Sequence, residues 1–255
     1  MKKFHYYLII IYLFIFLMYL LLETNKEGFD NNDIILVISR YNEDLEWLKI
    51  EPFSKLDNII YNKGDNDDFF HNENTKKVVK LPNVGRCDHT YLYYIINNYG
   101  DLKNVVVFVP GSLNMEWKNQ KATKIIKELY NNENIVKNDC SHFNDVKTDL
   151  YDFQLENWKA TDIKNSSINP ETKLELSKIR PFGKWYESHF GDIRISNVFF
   201  SGILTVDKYA ILQHPKSFYE NLIVELENSS NPEVGHYFER SWAVIFYPKN
   251  NDICL

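Results

Sequence analysis

A run of five apolar residues at positions 34–38 constrains the fold more than any other stretch of this chain. The run is rich in β-branched residues and apolar on both faces, which is typical of a strand in a parallel sheet that helices cover on both sides. An amphipathic segment at 45–48 and a second apolar strand at 58–61 follow it. The order strand, helix, strand predicts a βαβ unit and hence an α/β fold.

The same alternation continues along the rest of the chain. It predicts strands at 78–81, 105–109 and 198–204, and helices at 90–99, 117–133, 209–212, 215–226 and from His236 onward. In the helix at 117–133 four apolar residues fall at helical spacing, and we expect them in the core: Ala122, Ile125, Ile126 and Leu129. With 44% hydrophobic residues among 255, the chain can bury a full core, and we expect one main domain over residues 33–255.

The charge of the chain argues against nucleic acid as a partner. The formal net charge is -6 at pH 7, and the basic residues are scattered among a larger number of acids. Proteins that bind nucleic acid neutralise phosphates with clustered Lys and Arg. We therefore expect no nucleic-acid partner.

Residues 1–23 predict a membrane anchor. The stretch 4–22 carries no charge, and as a helix it reaches about 28 Å, close to the hydrocarbon thickness of a bilayer. A cleavable signal peptide is the alternative, but such peptides have a shorter apolar region and a small-residue cleavage site. Lys2 and Lys3 should stay in the cytoplasm, which predicts a single-pass type II protein with a lumenal or extracytoplasmic domain behind a polar linker at 24–32.

Two further features matter if the domain is exported. Asn165 and Asn228 begin Asn-x-Ser sequons, which are either glycosylation sites in a eukaryotic lumen or chance triplets in an Asn-rich chain. Cys87, Cys140 and Cys254 are odd in number and lack a CxxC pair, so we expect structural roles. One pair can form a disulfide, and the sequence leaves open which pair.

Two loops at the carboxyl ends of predicted strands are candidate binding sites. The acidic loop at 62–68 follows the second strand, and the loop at 83–88 leads into the helix at 90–99. Open α/β sheets bind ligands at this edge. A helix N-terminus suits an anion such as a diphosphate, and Arg86 adds a forked donor for it.

Two other stretches each have a functional and a purely structural interpretation. The acidic loop at 65–68 with His71 suggests a metal-dependent hydrolase, although no two-His, one-acid spacing accompanies it, and it also fits a solvated surface loop. Near Trp185 and Tyr186 the chain is rich in aromatic and basic residues. That composition fits a sugar or acceptor site and equally a packed loop.

The last predicted helix places three polar residues on one face. His236, Glu239 and Arg240 stand at i, i+3 and i+4, and an apolar core helix has little reason to carry them. A carboxylate can deprotonate an acceptor hydroxyl, so we take Glu239 as a candidate general base, with His236 orienting it or binding a metal. A surface network of Glu239 and Arg240 is the alternative.

Several stretches together resemble a known family. ILVISRYNEDLEWL, IIYNKG, LPNVGRCDHTYLYYIINNYGDLKNVVVFVPGS and HYFERSWAVIF look like domain of unknown function 3431, found in giant viruses and fungi. That family is similar to glycosyltransferases of the GT-A type, which implies a nucleotide-diphospho-sugar transferase fold with a mixed central sheet flanked by helices. The resemblance implies that two sets of residues hold the donor: Ser39, Arg40 and Asn42 at the nucleotide, and Asn83, Gly85 and Arg86 at the diphosphate.

The chain departs from the GT-A pattern at one position. The strand at 105–109 should end in an Asp-x-Asp motif whose carboxylates hold a divalent cation, but it ends in Pro110, Gly111 and Ser112. The metal requirement is therefore uncertain. Three explanations are open. Cationic side chains such as Arg86 and Lys63 replace the metal, acids from elsewhere in the chain hold it, or transfer activity has been lost.

The resemblance implies a membrane-anchored glycosyltransferase-like protein that transfers a sugar from a nucleotide-sugar donor to a glycan or glycoprotein acceptor. Trp185 and Tyr186 would then contact the acceptor. The alternative function is a non-catalytic carbohydrate-binding or virion-surface protein that keeps the fold without the metal motif. These expectations rest on fold-level analogy, and folds host many functions.

Overall fold

The computed structural model describes residues 11–14, 16, 29–131, 135–142, 150–156, 173–249 and 252–255. The described strands are β1 (Ile34–Arg40), β2 (Asn58–Asn62), β3 (Thr75–Lys80), β4 (Val105–Pro110), β5 (Ser141–His142), β6 (Asn197–Val198) and β7 (Leu204–Asp207). The described α-helices are α1 (Arg86–Asn98), α2 (Glu116–Asn131), α3 (Phe182–Phe190), α4 (Lys208–Leu212), α5 (Lys216–Ile223) and α6 (Glu233–Phe246).

Five of these strands form one sheet in the order β3-β2-β1-β4-β7. The pairs of β1 with β2, β1 with β4 and β2 with β3 are parallel, whereas β7 is antiparallel to β4. Ile38 at the centre pairs with Ile60 on one side and Val109 on the other. The predicted α/β fold with a mixed central sheet flanked by helices is confirmed.

The sheet has a hydrophobic core on each face. Along β1 the side chains alternate, so that Ile35 and Val37 join one core while Leu36 and Ile38 join the other. Helices α1 and α6 cover the first face and α2 covers the second. The four residues of α2 predicted to be core are fully buried there: Ala122, Ile125, Ile126 and Leu129.

The connection from β1 to β2 differs from the predicted helix. Two short 3₁₀ turns, Glu46–Lys49 and Phe53–Lys55, replace it. Leu45 before the first turn has a left-handed backbone with φ 61, and Pro52 before the second has no N–H to donate. Together they prevent an α-helix from running through the segment.

The predicted strand at 198–204 is wrong as a single element. The structure has β6, then a 3₁₀ turn at Phe200–Gly202, then β7. Ser201 in this turn has φ 80, which an extended strand cannot accommodate. The break matters for the site, because the backbone N–H of Ser201 faces α6.

The disulfide left open by the sequence joins Cys140 to Cys254, while Cys87 remains a half-buried free thiol. Buried Asn138 ties the same region to the sheet, because its side chain bonds both the N–H and the C=O of Thr205. The disulfide thus attaches the C-terminal residues to the segment around Cys140, and the hydrogen bonds of Asn138 attach that segment to β7.

Most of the predicted membrane anchor and sequon Asn165 lie outside the described residues. Of the anchor, residues 11–14 and 16 are described, and they are helical and exposed. Within the described part of the chain, no helix is both long and apolar enough to cross a bilayer. The second sequon, at Asn228, is exposed.

Candidate functional site

The loops that follow β1 to β4 meet at one edge of the sheet because these strands are parallel. The chain leaves β1 toward β2 on one side and enters β4 on the other side of β1. In open α/β sheets, ligands bind in the crevice at such a reversal of strand order. The candidate site is therefore the edge that carries Arg40, Asn62, Lys80 and Pro110.

Arg40, a predicted donor contact, cross-links the loops from inside. Its Nε donates to the Glu43 carbonyl at 2.8 Å, and its Nη1 donates to Asn62 Oδ1 and to the Asn66 carbonyl, both at 2.7 Å. The guanidinium also lies 3.9 Å from the ring centroid of Phe69, and the side chain is 1% exposed. Its contacts favour a structural role over direct contact with a donor.

The other two residues predicted at the nucleotide differ in accessibility. Ser39 is buried, and its hydroxyl bonds the Thr90 hydroxyl at 2.9 Å, which joins β1 to α1. Asn42 is exposed beside Gly64. Of the three residues predicted to hold the nucleotide, Asn42 is therefore the one that solvent reaches.

A polar cavity of about 620 Å³ opens beside these loops. Asn83, for which the family resemblance implies a donor contact, lines it. Its remaining walls are Tyr41, Lys63, Asp65, Lys80, Leu81, Pro82 and Ser230. Ser230 is far from the others in sequence, and no local pattern predicts it, because only the tertiary fold brings it there.

Lys63 orders the loop that carries Asn83. The side chain is 3% exposed, and its ammonium donates to the carbonyl oxygens of Val84 and Arg86. Burial lowers the pKa of Lys63 to about 7. The residue thus fixes the entrance to α1 in place.

The turn of Gly85 and Arg86 depends on a left-handed backbone, with φ 60 and φ 53. Gly85 donates its N–H to the Ser229 carbonyl at 2.7 Å. Arg86 then opens α1, and its side chain crosses α6 at Gly235. A Cβ on Gly235 would lie 2.8 Å from Cδ of Arg86, so that glycine gives the arginine its path.

Of the three polar residues predicted on α6, Arg240 interacts with both of the others. Nη1 of Arg240 donates to the His236 carbonyl at 2.9 Å, and the charge of Glu239 acts on Arg240. Burial, with Arg86 and Arg240 nearby, lowers the pKa of His236 to about 2, so its imidazole is neutral at pH 7. Half-buried Glu239 accepts a hydrogen bond at 2.6 Å from the Ser201 N–H.

The charge of Glu239 acts on three residues that the sequence pattern does not single out: Asp88, Lys118 and Lys121. Asp88 is 2% exposed and accepts from Trp242 Nε1 at 2.8 Å, and burial raises its pKa to about 7. Lys121 donates to the Phe200 carbonyl at 2.9 Å. Lys118 completes the set, and burial lowers the pKa of both lysines. The lysines face the site from the first turns of α2, which the sequence predicts only as a core helix.

Glu43 fills the space at the end of β4. A Cβ on Gly111 would lie 2.7 Å from Oε2 of Glu43, and the same oxygen accepts from the Tyr41 N–H at 2.7 Å. The side chain is 4% exposed, and burial raises the pKa of its carboxyl. The carboxyl of Glu43, from the loop after β1, therefore lies at the end of β4, where the GT-A pattern would have its Asp-x-Asp motif.

The acidic loop proposed for metal binding makes internal contacts. Asp67 accepts from Asn62 Nδ2 at 2.6 Å and lies 3.8 Å from Nζ of Lys80, while His71 is exposed. Among the residues that the structure describes, no group of three His, Cys, Asp or Glu side chains could hold a metal ion.

Trp185 and Tyr186 lie in the core on α3. Trp185 is 1% exposed, and its Nε1 donates to Glu225 at 2.6 Å. This burial leaves Trp185 no open face on which a sugar could stack. Tyr186 borders a second cavity of about 570 Å³, which Tyr151 and Lys184 also line.

Comparison with known proteins adds one finding to this geometry. No curated protein and no solved structure shows significant similarity to the chain. A family model does match, over residues 35–255, and its description is protein of unknown function DUF3431. The match begins in β1 and runs through every element of the site, so the chain belongs to the DUF3431 family.

Proposed function

We propose that this protein is a glycosyltransferase-like enzyme that binds a nucleotide sugar at the carboxyl edge of the sheet and transfers the sugar to a glycan or glycoprotein. One observation carries the proposal. A polar cavity large enough for a nucleotide lies at the carboxyl ends of parallel strands. Lys63 in its wall bonds the Arg86 carbonyl, and the Arg86 side chain reaches Gly235 on α6, one turn before the carboxylate of Glu239.

In this proposal the nucleotide occupies the cavity of Tyr41 and Asn83, and the diphosphate lies near Arg86. A guanidinium suits a diphosphate because its forked N–H groups match two oxygens at once. The glycine turn at 85 brings the backbone close to the ligand. The proposal thus keeps Asn83, Gly85 and Arg86 as donor contacts.

Glu239 is the proposed general base. In an inverting displacement, the acceptor hydroxyl oxygen bonds to the anomeric carbon while the bond from that carbon to the diphosphate oxygen breaks. The hydroxyl proton passes to the carboxylate of Glu239, which the Ser201 N–H holds in position. Neutral His236 next to it can orient a hydroxyl by hydrogen bonding but adds no positive charge.

The proposed location is the far side of a membrane, in a type II topology with the anchor at 4–22. The disulfide of Cys140 and Cys254 supports it, because disulfides persist in oxidising compartments and are rare in the cytosol. The acceptor would then be a glycan or glycoprotein of a lumen or surface.

The test is a panel of uridine and guanosine diphosphate sugars, added to the full chain with manganese, magnesium or a chelator. Melting temperature reports binding, and released nucleotide reports donor turnover. We expect one nucleotide family to raise the melting temperature, Arg86→Ala to abolish the shift, and Glu239→Gln to keep the shift but lose turnover. The exposed Glu227→Gln serves as control. A panel without any shift would refute the proposal.

A second candidate function is non-catalytic carbohydrate binding, as in a surface or virion protein. The second cavity favours it, because tyrosine rings and charged side chains such as Lys184 together suit a sugar. This function predicts binding to a glycan array that does not depend on nucleotide. Turnover of any donor would eliminate it.

A further inference from the structure

Lys118 on α2 lies within electrostatic range of Arg86 on α1 and Glu239 on α6, and we use the term crevice for the space that these three side chains border. Its ammonium donates to the Ser112 hydroxyl at 2.7 Å, directly after β4, and the side chain is half-buried. The charges of Glu43, Arg86 and Glu239 all act on this ammonium. The half-buried ammonium of Lys118 therefore interacts with charged groups of the candidate site.

The other walls of this crevice are fixed. Arg86 reaches it over Gly235, and Glu239 is held by the Ser201 N–H. Lys121, one turn after Lys118, is tied to the Phe200 carbonyl and lies 3.4 Å from Asp139. The ion pair with Asp139 makes Lys121 less suited than Lys118 to hold an added anion.

The charge in the crevice favours an anion. Glu43 and Asp88 are at most 4% exposed, and burial raises the pKa of both carboxyls, which favours their neutral forms. Among the described side chains, the charge of Glu239 acts on three cations, Lys118, Lys121 and Arg240, and the charge of Arg86 also acts on Lys118. The local charge is positive, and partial burial strengthens its attraction for an anion.

We propose that this crevice holds a phosphoryl group between the ammonium of Lys118 and the guanidinium of Arg86. In the transfer reaction proposed above, on which this assignment rests, the group is the diphosphate of the donor, and Lys118 neutralises the leaving oxygen. Two single positive charges supply the charge that one divalent cation supplies. Binding of the diphosphate should therefore persist when a chelator removes divalent ions.

Calorimetric titration of the full chain with sodium pyrophosphate in excess chelator tests the assignment. We expect binding to the native protein and a loss of about tenfold to a hundredfold in affinity for Lys118→Met, since a hydrogen bond to a charged group is removed. Lys118→Arg should restore most of the affinity. The matched control is Lys127→Met, which removes the same charge from an exposed position of the same helix. If Lys118→Met does not fold, Lys118→Gln replaces it.

The outcomes separate this inference from the proposed function. Pyrophosphate binding that depends on Lys118 and Arg86, without a response to any nucleotide sugar, keeps the anion site and refutes the transferase. A nucleotide sugar that binds Lys118→Met as tightly as the native protein, or binds only with manganese, refutes the anion site and keeps the transferase. Native protein that does not bind pyrophosphate also overturns the inference.

Discussion

Replacing Gly85 with alanine should have two effects: it should destabilise the fold and displace the Arg86 turn. Gly85 has φ 60, in the left-handed region that residues with a Cβ seldom adopt. The added Cβ would lie 2.6 Å from Cβ of both His89 and Leu226 and from the carbonyl oxygen of Leu226. The carbonyl is backbone, so a change of side-chain rotamer cannot relieve the clash.

The expected loss follows from two contributions. The left-handed backbone costs a residue with a Cβ about 1–2 kcal/mol. Insertion of a methyl group into packed surroundings costs about 1–3 kcal/mol. The free energy of unfolding should therefore fall by about 2–5 kcal/mol, which for a domain of this size lowers the melting temperature by roughly 5–15 °C.

Urea unfolding of the full chain, followed by tryptophan fluorescence, measures the effect. Gly100→Ala is the matched control, because no atom lies within 4 Å of its added Cβ and its backbone is not left-handed. It should be neutral or stabilising by up to about 1 kcal/mol. If the free energy of unfolding of Gly85→Ala lies within about 0.5 kcal/mol of the native value, the steric argument for the Arg86 turn fails.

Three further predictions concern the frame around the site. Glu233→Gln should lower the free energy of unfolding by about 2–4 kcal/mol in urea titration. The reason is that the fully buried carboxylate accepts from two backbone N–H groups and pairs with Arg180. An unchanged urea midpoint would contradict this. The pKa of His189 is raised overall: burial alone would lower it, but the hydrogen bond with Glu225 more than offsets burial. Stability from this pair is thus present below about pH 6.5 and lost as the pH rises through the raised pKa, and His189→Gln should remove that pH dependence of the melting temperature. Cys140→Ser should cost about 2–5 kcal/mol, measured against the native protein with and without reductant; equal stability in all samples would exclude the disulfide.

The sequence predicts the sheet well because burial on both faces leaves a clear signal. The apolar run at 34–38 and the strand at 105–109 both lie in the observed strands β1 and β4. The prediction fails where local backbone geometry decides the element. At Leu45 and Ser201 the chain adopts a left-handed conformation, which neither leucine nor serine predicts.

The site is only partly predictable for a related reason. Arg86 stands out because it is a forked donor just before a predicted helix, and the family resemblance adds Gly85. Lys118 gives no such signal, since a lysine on an amphipathic helix is usually solvated. For Arg40 the family resemblance implied a donor contact. No sequence pattern indicates that Asn62 and the ring of Phe69 contact its guanidinium.

The end of β4 shows how the charges of this site are assembled. Gly111 and Gly235 each leave a space that a charged side chain from another element fills, Glu43 in one case and Arg86 in the other. A motif search along β4 alone finds no acid there, because the acid belongs to the loop after β1. Since the charges come from the loop after β1 and from α1, α2 and α6, no single stretch carries a complete signature. Activity of this family is therefore better sought through variants of side chains that converge in space, Arg86, Lys118 and Glu239, than through a contiguous motif.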